Sequence, residues 1–436
     1  MILIIGAGIA GLSAALHLKD DDYIIAEKEA EAGGLCRTKH LDGFFFDYTG
    51  HLLHSRDPYF ASFVDELLPD VLLKHERRSV VFSHGVYTPY PFQVNTFGLP
   101  EDVIHECVLE FIQAKMREER IGENAGRDQD LTFREWVLKR FGNGFAKHFF
   151  LPFNEKLYCR DLALLSSEWT AWSIPVPSIE EVIQGAVGIR KTKIGYNPFF
   201  LYPASGGIDI LPRRMASKCR NILLNSTIDS IDLARKEASI RGGGIVKWDF
   251  LISTIPLRTL LSICENIPDD MKDTAGHLAH VKIVDINIGF EGKLRNDFHW
   301  IYFPEREFPF YRVGFPGNFS DNVTPDGCSS LYAEVSLRAD DEGDIDDIVA
   351  TSLEALIRLK ILPDERKIAV KDVNLIDPAY VVFDLFRKKN RERIISFLEK
   401  AGVITAGRFG SWDYLSMEGA FLDGRQAALK AGSMRG

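Results

Sequence analysis

Ile2-Leu3-Ile4-Ile5-Gly6-Ala7-Gly8-Ile9-Ala10-Gly11 is the stretch on which the fold turns. A four-residue apolar run meets a glycine pattern, and Ala14, Leu16 and Leu18 then recur at helical spacing before a second apolar run, Tyr23-Ile24-Ile25-Ala26. Strand, tight turn, helix and strand make a βαβ unit. In that setting Gly6 permits the turn, Gly8 lets main chain approach a pyrophosphate, and Gly11 lets helix and strand pack closely, while the helix N-terminus favours phosphate charge. Glu27 ends the second run, about 20 residues on, where an acid binds ribose hydroxyls. The reading is a Rossmann-type dinucleotide site. The same glycines, and the lack of a basic leader, argue against a signal peptide.

Working outward, the chain has 436 residues, 46% of them apolar and 26% charged, enough for two or three cores and without disordered bias. The formal net charge of −10 gives no footprint for nucleic acid. Cys36, Cys107, Cys159, Cys219, Cys264 and Cys328 are scattered and unpaired in sequence, which points to a reducing, cytoplasmic compartment. No segment approaches eighteen uninterrupted apolar residues, so no membrane span is expected. The run Arg387-Lys388-Lys389 reads as a solvated helix face, and Asp340-Asp341-Glu342-Gly343-Asp344 as a surface loop before a helix. His54 and His299 lack metal-like companions and read as structural; no metal is expected, and oligomeric state is left open.

From Pro100 the pattern changes, with Val103, Ile104, Cys107, Val108, Phe111 and Ile112 at helical spacing, and Thr132 with Glu135 forms a capping box for a helix running toward Phe149. Strand-like segments return at Val281–Phe290, Trp300–Phe303, Phe310–Val313 and Leu331–Val335. The chain therefore divides into a discontinuous dinucleotide-binding domain (1–75, 205–280 and 400–436), a mainly helical domain (95–195) and a substrate-side sheet domain (76–94, 196–204 and 281–399).

Further motifs follow: Gly33-Gly34-Leu35-Cys36-Arg37-Thr38, Phe46-Asp47-Tyr48-Thr49-Gly50-His51, Pro89-Tyr90-Pro91-Phe92-Gln93-Val94-Asn95, Leu151-Pro152-Phe153-Asn154-Glu155-Lys156-Leu157-Tyr158, Trp300-Ile301-Tyr302-Phe303-Pro304-Glu305, Pro309-Phe310-Tyr311-Arg312 and Gly407-Arg408-Phe409-Gly410-Ser411-Trp412-Asp413-Tyr414. The first resembles the element shared by amine oxidases, protoporphyrinogen oxidases and UDP-galactopyranose mutases. The whole series, in this order, resembles the mutases, particularly their eukaryotic type. The resemblance implies an α/β fold with a Rossmann-type FAD-binding domain of the GR2 kind, a helical insert and a mixed or antiparallel substrate sheet. It places FAD along Gly6, Gly8, Gly11, Glu27, Gly33, Gly34, Arg37, Gly50, Gly407, Arg408 and Met417. His51 matches a histidine on the loop facing the flavin; Arg312 and Arg408 match arginines that hold a substrate diphosphate, and Tyr302, Tyr380 and Tyr414 tyrosines that close around it. Tyr90, Gln93, Asn154 and Tyr158 match residues near the nucleotide base, and Asn197 one near the sugar or phosphates. Ser173 stands where the eukaryotic pattern has another arginine, and Leu415-Ser416-Met417-Glu418 is shorter than the eukaryotic loop.

The expected function is an isomerase that interconverts pyranose and furanose forms of a nucleoside-diphosphate sugar with reduced flavin as nucleophile, an external reductant such as NAD(P)H supplying the reduced state. Two other classes stay open: an FAD-dependent oxidase or desaturase, and a non-catalytic FAD- or nucleotide-binding protein. Nucleotide and sugar are not set by these residues.

Overall fold

Both faces of a parallel sheet are covered, so its strands are short unbroken apolar runs rather than alternating ones. In the computed structural model, which describes residues 1–18, 22–121, 128–189 and 197–435, Ile2–Ile5 is such a run. It pairs in parallel with Tyr23–Ala26 on one side and Phe250–Ser253 on the other, with Ile222–Leu223 and Val403–Thr405 at the edges. The helix Ile9–His17 lies against this sheet, and the C-terminal helix Met417–Arg435 packs on it. Contact is close because Gly424 sits against the backbone of Ala10, where a β-carbon would overlap the carbonyl.

A second sheet of seven strands, ordered Ile368–Val381, His280–Glu291, Cys328–Arg338, Arg312–Gly314, Trp300–Tyr302, Ser79–Ser83 and Val86–Pro89, is antiparallel except where Trp300–Tyr302 runs parallel to Ser79–Ser83. One of its faces packs through Val284, Ile286, Leu331 and Ala333 against the helix Ile345–Arg358. The strand segments expected from the sequence lie here, although the one expected at Phe310–Val313 begins only at Arg312. A four-stranded sheet formed by Ile228–Asp232, Glu237–Ile240, Ile245–Lys247 and Cys264–Glu265 was not legible, because these strands are short and polar residues interrupt their apolar runs.

The helical insert contains Glu101–Ile121, Phe133–Phe145, Leu151–Tyr158 and Ile179–Ala186. Thr132 and Glu135 form the expected capping box. The helix they open does not run straight to Phe149: it kinks at Gly142 (φ 73°, ψ 178°) and passes into a π-helical segment, Ala146–Phe150. The kink is forced by contact, since a β-carbon on Gly142 would overlap the Glu110 carbonyl of the neighbouring helix. The acidic run 340–344 is exposed, and Asp344 caps the helix Ile345–Arg358. Among the described residues no helix is long and apolar enough to cross a membrane, and no cluster of ligands suits a metal ion. All six cysteines are free thiols.

One expectation is corrected. Arg387 is no part of a solvated face: it is 4% exposed, donates from Nε to the Trp412 carbonyl at 2.8 Å and pairs with Glu168 and Asp413. Lys388 and Lys389 are exposed as expected. A long cation buried in this way must be ion-paired, and its partners lie too far off in sequence to be read from spacing.

Gly142→Ala should destabilise the fold by about 2 kcal/mol or more, because it combines a left-handed backbone with a steric overlap. Urea denaturation of the two proteins measures this, and equal midpoints would refute the packing account.

Candidate active site

The carboxyl ends of the parallel strands gather the glycine motifs, as expected for an open α/β sheet. Gly6 has φ 97°, and no side chain caps the helix that starts after Gly8, which leaves its first N–H groups to a ligand. Gly8 bridges to Gly33, and a β-carbon on Gly34 would come within 3.2 Å of the Gly8 Cα. At Gly11 one would overlap the Gly6 carbonyl. Glu27 is buried, its carboxylate accepting from the Ala7 N–H at 2.6 Å and the Glu29 N–H at 3.0 Å. Arg37 donates from Nε to the Gly34 carbonyl at 2.8 Å, and its guanidinium lies 5.2 Å from the Tyr48 ring centre. Gly407 (φ 81°) follows the edge strand Val403–Thr405 and places Arg408 at the same end of the sheet. A glycine cradle that admits no β-carbon at Gly6 or Gly11, beside a buried carboxylate, fits a dinucleotide.

Between this end of the sheet and the seven-stranded sheet lie two adjoining open voids of about 1170 Å³ and 1030 Å³. Gly50, His51, Asn197, Arg408 and Met417 line the former; Gln93, Asn154 and Tyr158 line the latter; and Tyr90, Ser173, Tyr302, Arg312, Tyr380 and Tyr414 line both. The structure thus brings every expected substrate-side and catalytic residue to one chamber. Gly6, Gly8, Gly11, Glu27, Gly33, Gly34, Arg37 and Gly407 do not line it and stay with the glycine cradle.

Strand geometry aims several of these groups. Tyr302 and Arg312 are register partners on neighbouring strands, so their side chains share a face. A register shift between Val281 and Ile283, against Ile368–Val381, bends that strand where it delivers Tyr380. Tyr380 and Tyr414 stack with centroids 6.1 Å apart, and the Arg408 guanidinium lies 4.7 Å from the Tyr414 ring. Arg408 also donates to the Leu415 carbonyl at 2.6 and 2.9 Å, which holds the loop before Met417. Gln93 and Asn154 donate their amide N–H groups to the Pro175 and Phe150 carbonyls. Ser173, in place of a cation, donates its hydroxyl to the Trp169 carbonyl at 2.8 Å.

Arg312 meets a residue that the sequence did not single out. Its Nε and Nη2 bond in a fork to the fully buried Glu334, at 3.0 and 2.6 Å. Burial pulls the Arg312 guanidinium down, but the neighbouring Glu334 carboxylate outweighs it and holds it well above its ordinary value. Glu334 also accepts from the Gly50 N–H at 3.4 Å, so one carboxylate ties the substrate sheet to the Thr49–His51 loop. On the adjacent strand Asp285, opposite Glu334 in register and fully buried, is pushed up to about 8 by burial and by the neighbouring Glu334 charge. His51 is pulled down to about 4, chiefly by burial and then by Arg408, so it is neutral at physiological pH; its Nδ1–H donates to the Tyr48 carbonyl at 2.6 Å. A signal for Glu334 was present: an acid inside the apolar strand Leu331–Val335 has nowhere to go but a cation.

His54, expected to be structural, and Arg77, which no motif in the sequence marks, also line the chamber. His299 is fully buried and accepts from the Arg78 N–H at 3.0 Å, a structural position. Among the described lining residues there are three arginines and no carboxylate. Such a chamber suits an anion whose other end is flat and apolar.

The sequence profile of the family described as flavin containing amine oxidoreductase matches residues 9–430. The fold is similar to the crystal structure of a reduced UDP-galactopyranose mutase, with a TM-score of 0.92, 26% identity, and coverage of 99% of this chain and 95% of that one. A putrescine oxidase structure shares the fold with a TM-score of 0.68 at 18% identity, covering 99% of this chain and 98% of that one. A 15-cis-phytoene desaturase of an Oncidium hybrid cultivar is 21% identical over 98% of this chain and 77% of its own length.

A buried carboxyl that keeps its proton up to about pH 8, against about pH 4 when unfolded, makes the folded state the better proton binder in that window. Stability conferred there falls as pH rises. Asp285→Asn should therefore gain on the wild type by about 1 kcal/mol or more between pH 5.5 and pH 8.5. Urea denaturation at the two pH values measures it; a difference that does not move with pH would refute the protonated-acid assignment.

Proposed function

The chain belongs to the flavin containing amine oxidoreductases, and from that premise we propose that it is an FAD-dependent mutase-like isomerase, interconverting pyranose and furanose forms of a nucleoside-diphosphate sugar. The observation that carries this is the chamber itself: arginines and tyrosines, with no carboxylate among the described lining residues, at one end, and an aromatic and amide-lined pocket at the other. The 26% identity and near-complete coverage of a UDP-galactopyranose mutase support it.

Gly6, Gly8, Gly11 and the helix N-terminus would hold the FAD diphosphate, Glu27 a ribose, and Gly33, Gly34 and Arg37 the adjoining stretch; Gly50, Gly407, Arg408 and Met417 would flank the flavin. Reduced FAD, when bound, supplies the nucleophile for the anomeric carbon, and its reduced state calls for an external reductant such as NAD(P)H. The protein's own part is positional and electrostatic. Tyr90, Gln93, Asn154 and Tyr158 would seat the base, and Asn197 the sugar or phosphates. Arg312 and Arg408, fixed by Glu334 and by the Leu415 carbonyl, would stabilise charge on the departing diphosphate. Burial holds the Tyr380 hydroxyl up at about 12. It therefore stays a neutral donor, and we assign Tyr302 and Tyr414 the same donor role. His51, neutral and anchored on Tyr48, would fix the loop facing the flavin.

A second reading has its own support. Phe149, Phe150, Phe153, Leu157, Trp169 and Phe383 give the pocket an apolar wall, which a lipophilic substrate of an oxidase or desaturase would also fill, and the phytoene desaturase likeness spans 98% of this chain.

The two part in one assay: reduced protein incubated with nucleoside-diphosphate sugars while ring isomers, peroxide and dye reduction are followed. The mutase reading expects isomer without net oxidant use. It also expects Arg408→Ala to cut kcat/KM about a hundredfold, the scale of losing one transition-state donor, while FAD stays bound. Oxidised protein that consumes oxidant well beyond one equivalent of flavin on a lipophilic substrate, with no isomer formed from the sugar nucleotides, would establish the second reading.

A further inference from the structure

Lys156 stands on the helix Leu151–Tyr158, whose Phe153, Asn154, Leu157 and Tyr158 line the chamber while Lys156 does not. Its half-buried side chain reaches instead into the loop 303–311, which joins the strands Trp300–Tyr302 and Arg312–Gly314. There Nζ donates to three main-chain carbonyls, those of Phe303 at 2.7 Å, Glu305 at 2.5 Å and Phe310 at 3.2 Å. An ammonium has three donors and no acceptor, so one loop takes them all. Aromatic packing shapes the loop for this: Phe303 meets Phe308 and Phe310 edge-on, with centroids 5.2 and 4.9 Å apart. Its N–H donates to the Tyr311 carbonyl at 2.9 Å. Two further ties join the same helix and loop. Glu155, which also holds Arg134, pairs with Arg306 at 2.7 Å, and the Phe153 ring meets those of Tyr302 and Tyr311 edge-on. Burial pulls the Lys156 ammonium down to about 7 against the Glu305 and Glu307 carboxylates, which raise it; at pH 6 it is charged.

We propose that Lys156 is a positioning residue that sets the span between the two ends of the substrate site, by clamping the helix that carries Asn154 and Tyr158 to the loop between Tyr302 and Arg312. The proposal rests on the nucleoside-diphosphate reading above, in which that helix seats the base and the strands flanking the loop hold the diphosphate. A two-ended ligand gains over its fragments only while both subsites stand at its own span, because the second contact is then made within one complex. The clamp touches neither end, so its loss loosens the span and spares each subsite. Arg306 is 81% exposed, and a surface pair of that kind is a weak tie. Three bonds from one charged donor are the stronger one.

The test uses FAD-loaded wild type, Lys156→Met and Lys156→Arg, titrated by calorimetry at pH 6 with UDP and GDP and with the fragments uridine, guanosine and inorganic pyrophosphate. Lys156→Met keeps the stem without the donors. It should raise the Kd for the responding diphosphate about tenfold, leave nucleoside and pyrophosphate each within about twofold, and leave FAD content unchanged. Lys156→Arg keeps the charge in another shape and should fall between the two. If Lys156→Met does not retain FAD, Lys156→Arg decides, with a diphosphate Kd raised about threefold and fragments unchanged. Diphosphate binding by the deciding variant within about twofold of wild type overturns the assignment of Lys156 while the proposed function stands. Fragments weakened as much as the diphosphate, or FAD lost from both variants, overturn it as well, since the lysine then serves the fold rather than the span. A wild type that answers to no nucleoside diphosphate overturns both.

Discussion

The salt bridge between Arg312 and Glu334 organises the side of this protein that faces the chamber. Both groups come from adjacent strands of the seven-stranded sheet, in register, and Glu334 is fully buried. Neither could be desolvated alone: an uncompensated buried charge costs about 3–5 kcal/mol, while the pair with its fork of hydrogen bonds is tolerable. Because Glu334 also reaches the Gly50 N–H, the geometry of the sheet and of the loop beside the glycine cradle are set by one carboxylate. Tyr332, two residues before it, occupies the space above Gly50 and Gly314 where any β-carbon would overlap its ring. The loop is thus fixed both by charge and by shape.

The same pair explains why Asp285 is protonated. Two carboxyls facing each other across neighbouring strands, with the buried arginine on the far side of Glu334 from Asp285, cannot both ionise cheaply. Glu334 has the arginine; Asp285 has neutral donors, the amides of Asn287 and Asn374 at 2.8 and 3.3 Å and the Thr49 main chain. The proton goes to the group with the weaker partners.

Much of this was legible in the sequence because it depends on local rules. The glycine pattern after Ile2–Ile5, the capping box at Thr132 and the long strands of the second sheet follow from turn chemistry, end effects and periodicity. What was not legible depends on partners distant in the chain. Arg387 looks like one more cation on a basic helix until Glu168, Trp412 and Asp413 arrive from elsewhere. Glu334 sits in an apolar strand without naming its cation, and Arg77 follows the mixed string Leu72–Glu76, whose only cue is its end. The kink at Gly142 likewise answers to a carbonyl on another helix.

Taken together, these long-range pairings show how the chamber combines positive charge with order. Each arginine facing it is held by a different kind of anchor: Arg312 by a buried carboxylate, Arg408 by the Leu415 carbonyl, and Arg77 by the Tyr90 ring and its main chain. A carbonyl fixes a guanidinium without cancelling its charge, whereas a carboxylate fixes it and does. Placing a carboxylate behind Arg312, deep in the sheet, balances that cation within the protein, while Arg408, held by a carbonyl, keeps its field toward the cavity. A polar ligand entering there meets donors already oriented, so little of its binding energy goes into arranging them.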